Sequence, residues 1–277
     1  MSRRILLLGS TGFIGGRLKR DLAGRHELLC ERVELRDDRA IRDAVSRLKP
    51  EAVVNAAAWA GPDACEKDPE TARRVNALGP ETLAKACAAA GIPLFHFSTD
   101  LVFDGTRPPY REEDKVNPLS AYGRVKREAE ERVLAAHPGA CVVRVAMVYG
   151  RALGGRPSPL DALIKDLSAG RATKVFVDQW RTPTPVASLV QVIEGWLTKD
   201  LRGVYHWAGA ERVSRVEFAR HVCRRFGFDP GLLVPIRASE LPLPAPRPAD
   251  CSLDCSKLSG ALGLTPWTLE RGLAAEG

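Results

Sequence analysis

Tyr122-Gly-Arg-Val-Lys126 sets a phenol and an ammonium four residues apart. On a helix that spacing stacks the two side chains on one face. A phenol ordinarily titrates near ~10 and must come down to exchange protons at neutrality; three pH units correspond to about 4 kcal/mol. A neighbouring cation supplies a shift of that sign by favouring phenolate. The pair therefore reads as a proton donor with its activator, although such pairs also arise on ordinary solvated helix faces. Ser98-Thr99-Asp100 adds hydroxyls at the carboxyl end of an apolar run, the edge where open α/β sheets hold their ligands. Thr99 there can orient a substrate carbonyl toward Tyr122. The plainer reading is a polar strand end that caps its own loop.

A third group lies near the N-terminus, where Gly9-Ser-Thr-Gly12-Phe-Ile-Gly15 follows an apolar strand and opens a helical stretch. Glycines let backbone amides approach a pyrophosphate, and a helix N-terminus offers free N–H groups and partial positive charge. Placed between first strand and first helix, Gly9, Thr11, Gly12, Phe13, Ile14 and Gly15 read as a dinucleotide turn. A glycine-rich turn without a ligand is the alternative. Some 20 residues further on, a ribose acceptor is expected. Glu31 suits the hydroxyls of NAD, whereas Arg32, with Arg36 beyond it, suits the extra phosphate of NADP. Both readings stay open. Asn55 is followed by Ala56, Ala57 and Ala58, small side chains that either pack tightly or let a dinucleotide lie over the sheet edge.

The elements that must carry these residues are legible as short, continuously apolar runs alternating with helical patterns. Ile5 to Leu8, Glu27 to Cys30, Ala52 to Asn55, Leu94 to Phe97 and Cys141 to Val145 read as strands. Helices are expected over 13–23, 39–48 with Asp37 or Asp38 as cap, 69–90 with a break near Gly79-Pro80, and 121–135. Strands of this kind are buried on both faces, which requires a parallel sheet between helices. Right-handed crossovers make it a doubly wound, Rossmann-type α/β sheet. After Gly150 the pattern changes: Gly154 to Pro159 reads as a loop, Leu241 to Pro248 is too rich in proline for regular structure, and Gly203 to Trp207 is a strand. The expected division is 1–150 as the dinucleotide-binding domain, with segments around 185–208 returning to it, and 151–277 mainly as a substrate-binding lobe.

The net charge of +7 is spread among acids, as in Arg127-Glu-Ala-Glu-Glu-Arg132, and forms no basic tail. Such a surface suits anionic small molecules, and neither nucleic acid nor a membrane is expected as partner. The seven cysteines supply no paired framework. Cys251 and Cys255 lack a second ligand pair, so no metal is expected and reduced thiols in a cytoplasmic protein are.

Together these motifs resemble the dTDP-4-dehydrorhamnose reductase family of the extended short-chain dehydrogenases/reductases. The likeness runs through the glycine turn, Val54 to Ala58, Val75 to Gly79, Phe97 to Gly105, Asn117 to Lys126 and Val143 to Gly150. In the second half it is carried by Asp178 to Thr184 and Arg247 to Leu258. The resemblance implies an enzyme that uses NADPH or NADH to reduce the 4-keto group of a nucleotide-linked 4-keto-6-deoxy sugar. It makes Tyr122 the proton donor, Lys126 its activator and nicotinamide-ribose ligand, and Thr99 the hydroxyl on the keto oxygen. Ser98, Tyr122 and Lys126 would then also touch the cofactor, and Thr99, Asp100, Met147, Trp180, Arg181 and Arg247 the substrate. Arg181 and Arg247 are expected on the pyrophosphate, since guanidinium binds it bidentately, and Asn76 is expected to order a water or pack the helix. A homodimer is compatible with the resemblance. Two positions depart from the family: Leu101 stands where Tyr is usual, and Met147 where Trp is common, which leaves the sugar open. Leu101 also disfavours a 4,6-dehydratase, which needs an acid there. An epimerase, or a non-catalytic subunit like the β subunit of methionine adenosyltransferase, remains an alternative.

Overall fold

The computed structural model describes residues 2–153 and 157–276. Six parallel strands form the central sheet. In chain order they begin with β1 (Arg4–Leu8), β2 (Glu27–Leu29), β3 (Ala52–Asn55), β4 (Leu94–Thr99) and β5 (Cys141–Val145). Between them lie α1 (Phe13–Leu22), α2 (Asp38–Leu48), α3 (Pro62–Lys67), α4 (Pro69–Arg73), α5 (Gly79–Ala89) and α6 (Ala121–Ala136). Beyond β5 follow α7 (Pro159–Ser168), β6 (Thr173–Phe176), β7 (Trp180–Arg181) and α8 (Leu189–Thr198). Then come β8 (Gly203–Trp207), β9 (Val213–Ser214), α9 (Arg215–Phe226), β10 (Leu233–Ile236), α10 (Ser256–Leu262) and α11 (Leu269–Ala274). The sheet order β2-β1-β3-β4-β5-β8 reverses direction between β1 and β3, and that point is where a doubly wound fold opens its crevice.

Alternation along the strands builds both layers. Ile5, Leu7, Val54, Phe95, Phe97 and Val143 face α1 and α8, meeting Leu18, Leu22, Val192, Ile193 and Trp196. Leu6, Leu8, Val53, Leu94 and Val142 face the other way, onto Ile41, Val45, Leu83, Ala84 and Val133. A third cluster, including Leu160, Leu167, Val175, Phe218, Val222 and Leu273, forms the core of the second half. There β6 pairs with β10 and β7 with β9, apart from the main sheet.

The expected strands and helices appear within one or two residues, and Asp37 caps α2 by accepting from Arg39 and Ala40 N–H. The expected helix over 69–90 is three pieces. Residues 74–78 widen into a π-turn that closes with Gly79 N–H on Arg74 O, and Pro80 has no N–H to continue the α pattern. Strand β4 runs two residues further than its apolar run, so Ser98 and Thr99 belong to it. Helix α3, opened by Pro62, carried no apolar period and was not expected. Of the loop expected at Gly154 to Pro159, Gly154, Gly155 and Arg156 lie outside the described residues. Pro159 is instead the first residue of α7, with Ser158 and Asp161 as a capping box. Cys251 and Cys255 are buried beside Phe103 and Tyr110. No helix among the described residues is long and apolar enough to cross a membrane.

Candidate active site

The glycine turn occupies the carboxyl end of β1. Gly9 has φ +78°, and a Cβ on Gly15 would lie 2.1 Å from Gly9 O, so both positions admit glycine alone. Gly12 N–H closes the turn on Gly9 O at 2.9 Å, and no side chain caps α1. The first N–H groups of α1 are thus left to whatever lies before them. Thr11 is exposed at the tip, while Phe13 and Ile14 turn partly into the core. Ala56 and Ala57 pass directly beside Gly9, where a Cβ would come within 2.6 Å of Ala57 N, and Ala58 is exposed beyond them. A backbone cradle, an uncapped helix start and a floor of alanines fit a pyrophosphate-linked dinucleotide.

At the end of β2, Glu31 is not a free acceptor, because Arg47 Nη2 holds it at 2.5 Å. Arg36 is held by Glu34 at 3.0 Å. Arg32 is exposed and forms no ion pair within 4 Å among the described residues.

Tyr122 stands in the first turn of α6, which Ser120 caps through Gly123 N–H. That turn abuts the chain just after Thr99: a Cβ on Gly123 would lie 2.2 Å from Leu101 O. The phenol ring packs with Trp59 against Cys65, Ala72, Ala121 and Val125. Its hydroxyl makes no hydrogen bond among the described residues. Burial pushes Tyr122 well above the ordinary phenol range, and Cys65 and Asp100 add to the shift. The expected acidification by Lys126 is therefore absent here. Lys126 is buried and directs its Nζ elsewhere, donating to Phe97 O at 2.7 Å and facing His96 Nε2 at 3.2 Å. Burial lowers its ammonium to about 8, against the opposing pull of Glu130.

Pleating sends the two hydroxyls of β4 to opposite faces. Ser98, expected on the cofactor, gives its hydroxyl to Glu130 at 2.5 Å. Arg144 of β5 grips the same carboxylate through two nitrogens, at 2.9 and 2.7 Å, and all three side chains are buried. Thr99 donates to Asp100 Oδ1 at 3.0 Å and accepts from Leu101 N–H at 3.2 Å. It does cap its own turn, yet its oxygen keeps one further lone pair.

Four residues expected on the substrate have other partners in the structure. Asp100 is buried, and Arg181 Nε lies 2.9 Å from its Oδ2, off the angle of a hydrogen bond, so the pairing is electrostatic. Burial raises the Asp100 carboxyl and Arg181 opposes this. Arg181 also donates to Trp180 O and Pro248 O at 2.6 and 3.2 Å, which ties it to two backbone segments. Arg247 holds Asp63 of α3 at 2.7 Å, fastening the Pro-rich segment to that helix. Trp180 has one ring face covered by the Arg212 guanidinium, 4.1 Å from its centroid. Asn76 clamps the backbone of Trp59, accepting its N–H at 2.9 Å and donating to its O at 3.1 Å.

Met147 lies in the left-handed region at φ +34°, with its sulfur against the Arg215 guanidinium. Arg215 was not foreseen. It is the first residue of α9, placed by the Ser214/Glu217 capping box, and that S-x-x-E pattern was the available signal. Burial lowers Arg215 to about 10, and Arg181 and Arg247 push the same way while Asp100 opposes them. His96 was likewise missed, hidden in an apolar strand.

Residues 3–275 match the family described as RmlD substrate binding domain. The chain is 38% identical to the dTDP-4-dehydrorhamnose reductase of Mycolicibacterium smegmatis, over 96% of this chain and 82% of that one. It is 33% identical to methionine adenosyltransferase 2 subunit beta of Bos taurus, over 93% and 82%. Among solved structures, dTDP-4-dehydrorhamnose reductase from Bacillus anthracis in complex with NADP superposes with a TM-score of 0.93, at 25% identity and 100% and 99% coverage.

Proposed function

The chain belongs to the RmlD substrate binding domain family, and on that premise we propose that it reduces the 4-keto group of a nucleotide-linked 4-keto-6-deoxy sugar. A reduced nicotinamide dinucleotide, seated over the Gly9–Gly15 turn, supplies the hydride when bound. Tyr122 gives the proton to the keto oxygen. One observation carries this reading. Tyr122 is a phenol with no hydrogen-bond partner among the described residues, held protonated by burial at the carboxyl edge of the same sheet as the phosphate cradle. A donor must hold its proton until the oxygen becomes basic, and a raised pKa does that. Thr99 orients the oxygen by turning its hydroxyl proton from Asp100 to the keto group, and the Lys126 ammonium stabilises the phenolate left behind.

Arg32, without an ion pair among the described residues, is the residue suited to the phosphate of NADP, and Glu31, engaged by Arg47, is the less suited acceptor. Arg215 takes the pyrophosphate of the sugar nucleotide: the charges of Arg181, paired with Asp100, and of Arg247, paired with Asp63, both act against it, and an anion relieves it. The 151–277 segment acts mainly as the substrate lobe.

The test is a panel of nucleotide-linked 4-keto sugars with NADPH and with NADH, followed by loss of nicotinamide absorbance. Turnover with at least one sugar is expected. Tight cofactor binding with no oxidation on any sugar would overturn the reading. It would favour a dinucleotide-binding subunit, a second reading supported by the likeness to methionine adenosyltransferase 2 subunit beta.

A further inference from the structure

Behind the Tyr122/Lys126 pair runs a buried chain of three polar side chains, Asn55 on β3, His96 on β4 and Lys126 on α6, each under 3% exposed. Asn55 Oδ1 accepts from Ala57 N–H at 3.1 Å. A backbone N–H only donates, so the oxygen must face it. The Asn55 amide nitrogen then faces His96 Nδ1, at 3.1 Å. That nitrogen also only donates, which obliges Nδ1 to accept and places the proton of a neutral imidazole on Nε2. Burial and the nearby Lys126 both hold His96 neutral.

Nε2 lies 3.2 Å from Lys126 Nζ. An Nε2–H needs a lone pair on the lysine, so this arrangement fits the neutral amine, whose own N–H goes to Phe97 O. An ammonium needs the reverse. Nε2 must accept, the imidazole proton must sit on Nδ1, and Asn55 must turn its oxygen toward it, releasing Ala57 N–H.

We propose that His96 and Asn55 are positioning residues that lock Lys126 into one of two states: neutral amine with Nε2–H His96, or ammonium with Nδ1–H His96 and a turned Asn55 amide. Passing from the first to the second takes up one proton in total and leaves the imidazole neutral. The freed Ala57 N–H lies beside Gly9, on the floor of the phosphate cradle, so the state of the lysine reaches the dinucleotide site. The charged and titratable groups around the unit are Tyr122 and Glu130 on α6 and Arg144 on β5, which neutralises Glu130. Cys65 of α3 and Asp100 act on Tyr122. The importance of this unit for turnover rests on the proposed role of Lys126, but its existence does not.

Nitrogen-15 NMR of the imidazole side chains of the whole protein tests it, with His96 assigned by its loss in His96→Gln. Across the titration of Lys126, His96 is expected to stay neutral and move its proton from Nδ1 at low pH to Nε2 at high pH. A ring that becomes cationic, or that keeps one tautomer while Lys126 titrates, overturns the proposal. Asn55→Asp supplies a second arm. Its carboxylate accepts both Ala57 N–H and Nδ1–H, so it is expected to fix the Nδ1–H tautomer and raise the Lys126 titration by about one pH unit or more. An Nε2–H tautomer in that variant overturns the proposal; should the variant fail to fold, the wild-type titration decides alone. A protein that shows the tautomer change but reduces no keto-sugar would strike the functional reading and leave this unit standing.

Discussion

Lys126 donates to Phe97 O at 2.7 Å and makes no hydrogen bond to Tyr122, one turn earlier on the same helix face. Sharing a face puts two side chains within reach of one another. What each then bonds is set by the elements beneath, and here β4 offers a strand carbonyl and an imidazole. The two groups are thus held separately, the phenol beside Trp59 and Cys65 and the lysine nitrogen against the sheet. The consequences can be measured one at a time.

Tyr122→Phe deletes a hydroxyl that has no hydrogen-bond partner among the described residues. Stability should change by less than about 0.5 kcal/mol in chemical denaturation. Turnover should fall by about 10²-fold or more, the scale of a lost general acid, with dinucleotide affinity retained. A variant as active as the parent would remove Tyr122 from its role.

The pH profile follows from Lys126. Its ammonium is the acid form, and burial brings it down to about 8. The cation that supports the phenolate is present below that value and lost above it. In the cofactor-loaded protein kcat/KM should therefore fall as pH rises through about 8, approaching a tenfold loss per unit. Tyr122, pushed upward, adds no descending limb in this window. A profile flat through it would show that the charge of Lys126 does not matter to the reaction.

The strands and the glycine turn were readable because parallel strands buried on both faces show as unbroken apolar runs, and because close backbone approach demands glycine. The spacing of Tyr122 and Lys126 was readable as one helix face, and both do lie on α6. Arg181 was not, since its partner Asp100 lies 81 positions away and nothing local tells a buried tie from a ligand arm. His96 sits within Leu94-Phe-His-Phe97, where the apolar period says only that the residue is buried. The Ser98/Thr99 division needed the strand to extend two residues beyond its hydrophobic run, since only then does pleating part them. Long-range charge pairing and exact strand ends come from tertiary packing.

The Glu130–Arg144 pair shows what underpins β4 and β5. Both side chains are buried, and Ser98 and His206 complete the network, with Arg144 Nη1 3.2 Å from His206 Nε2. Removing one partner leaves a buried charge uncompensated. Arg144→Met should cost about 3–5 kcal/mol of unfolding free energy, read from urea denaturation. A cost under about 1 kcal/mol would mean that the pair is already solvated, and that β4 and β5 are held by their backbone ladder alone.

Arg181 and Arg215 lie near enough for their charges to act on each other, yet they should fail in opposite ways. Arg181 balances Asp100 and ties down Trp180 O and Pro248 O, so Arg181→Gln strands a buried carboxylate and should lower stability before it touches substrate affinity. Arg215 has no carboxylate partner within 4 Å among the described residues, and its guanidinium lies against the Met147 sulfur. Arg215→Gln removes like-charge crowding, so stability should hold or rise slightly. Losing one charge-assisted hydrogen bond to a pyrophosphate is worth about 1.5–3 kcal/mol, which predicts a KM for the sugar nucleotide raised by about 10- to 100-fold with kcat little changed. Steady-state kinetics on the accepted sugar, with thermal melts of both variants, separates the cases. Equal KM in the Arg215 variant and its parent would take the nucleotide away from α9.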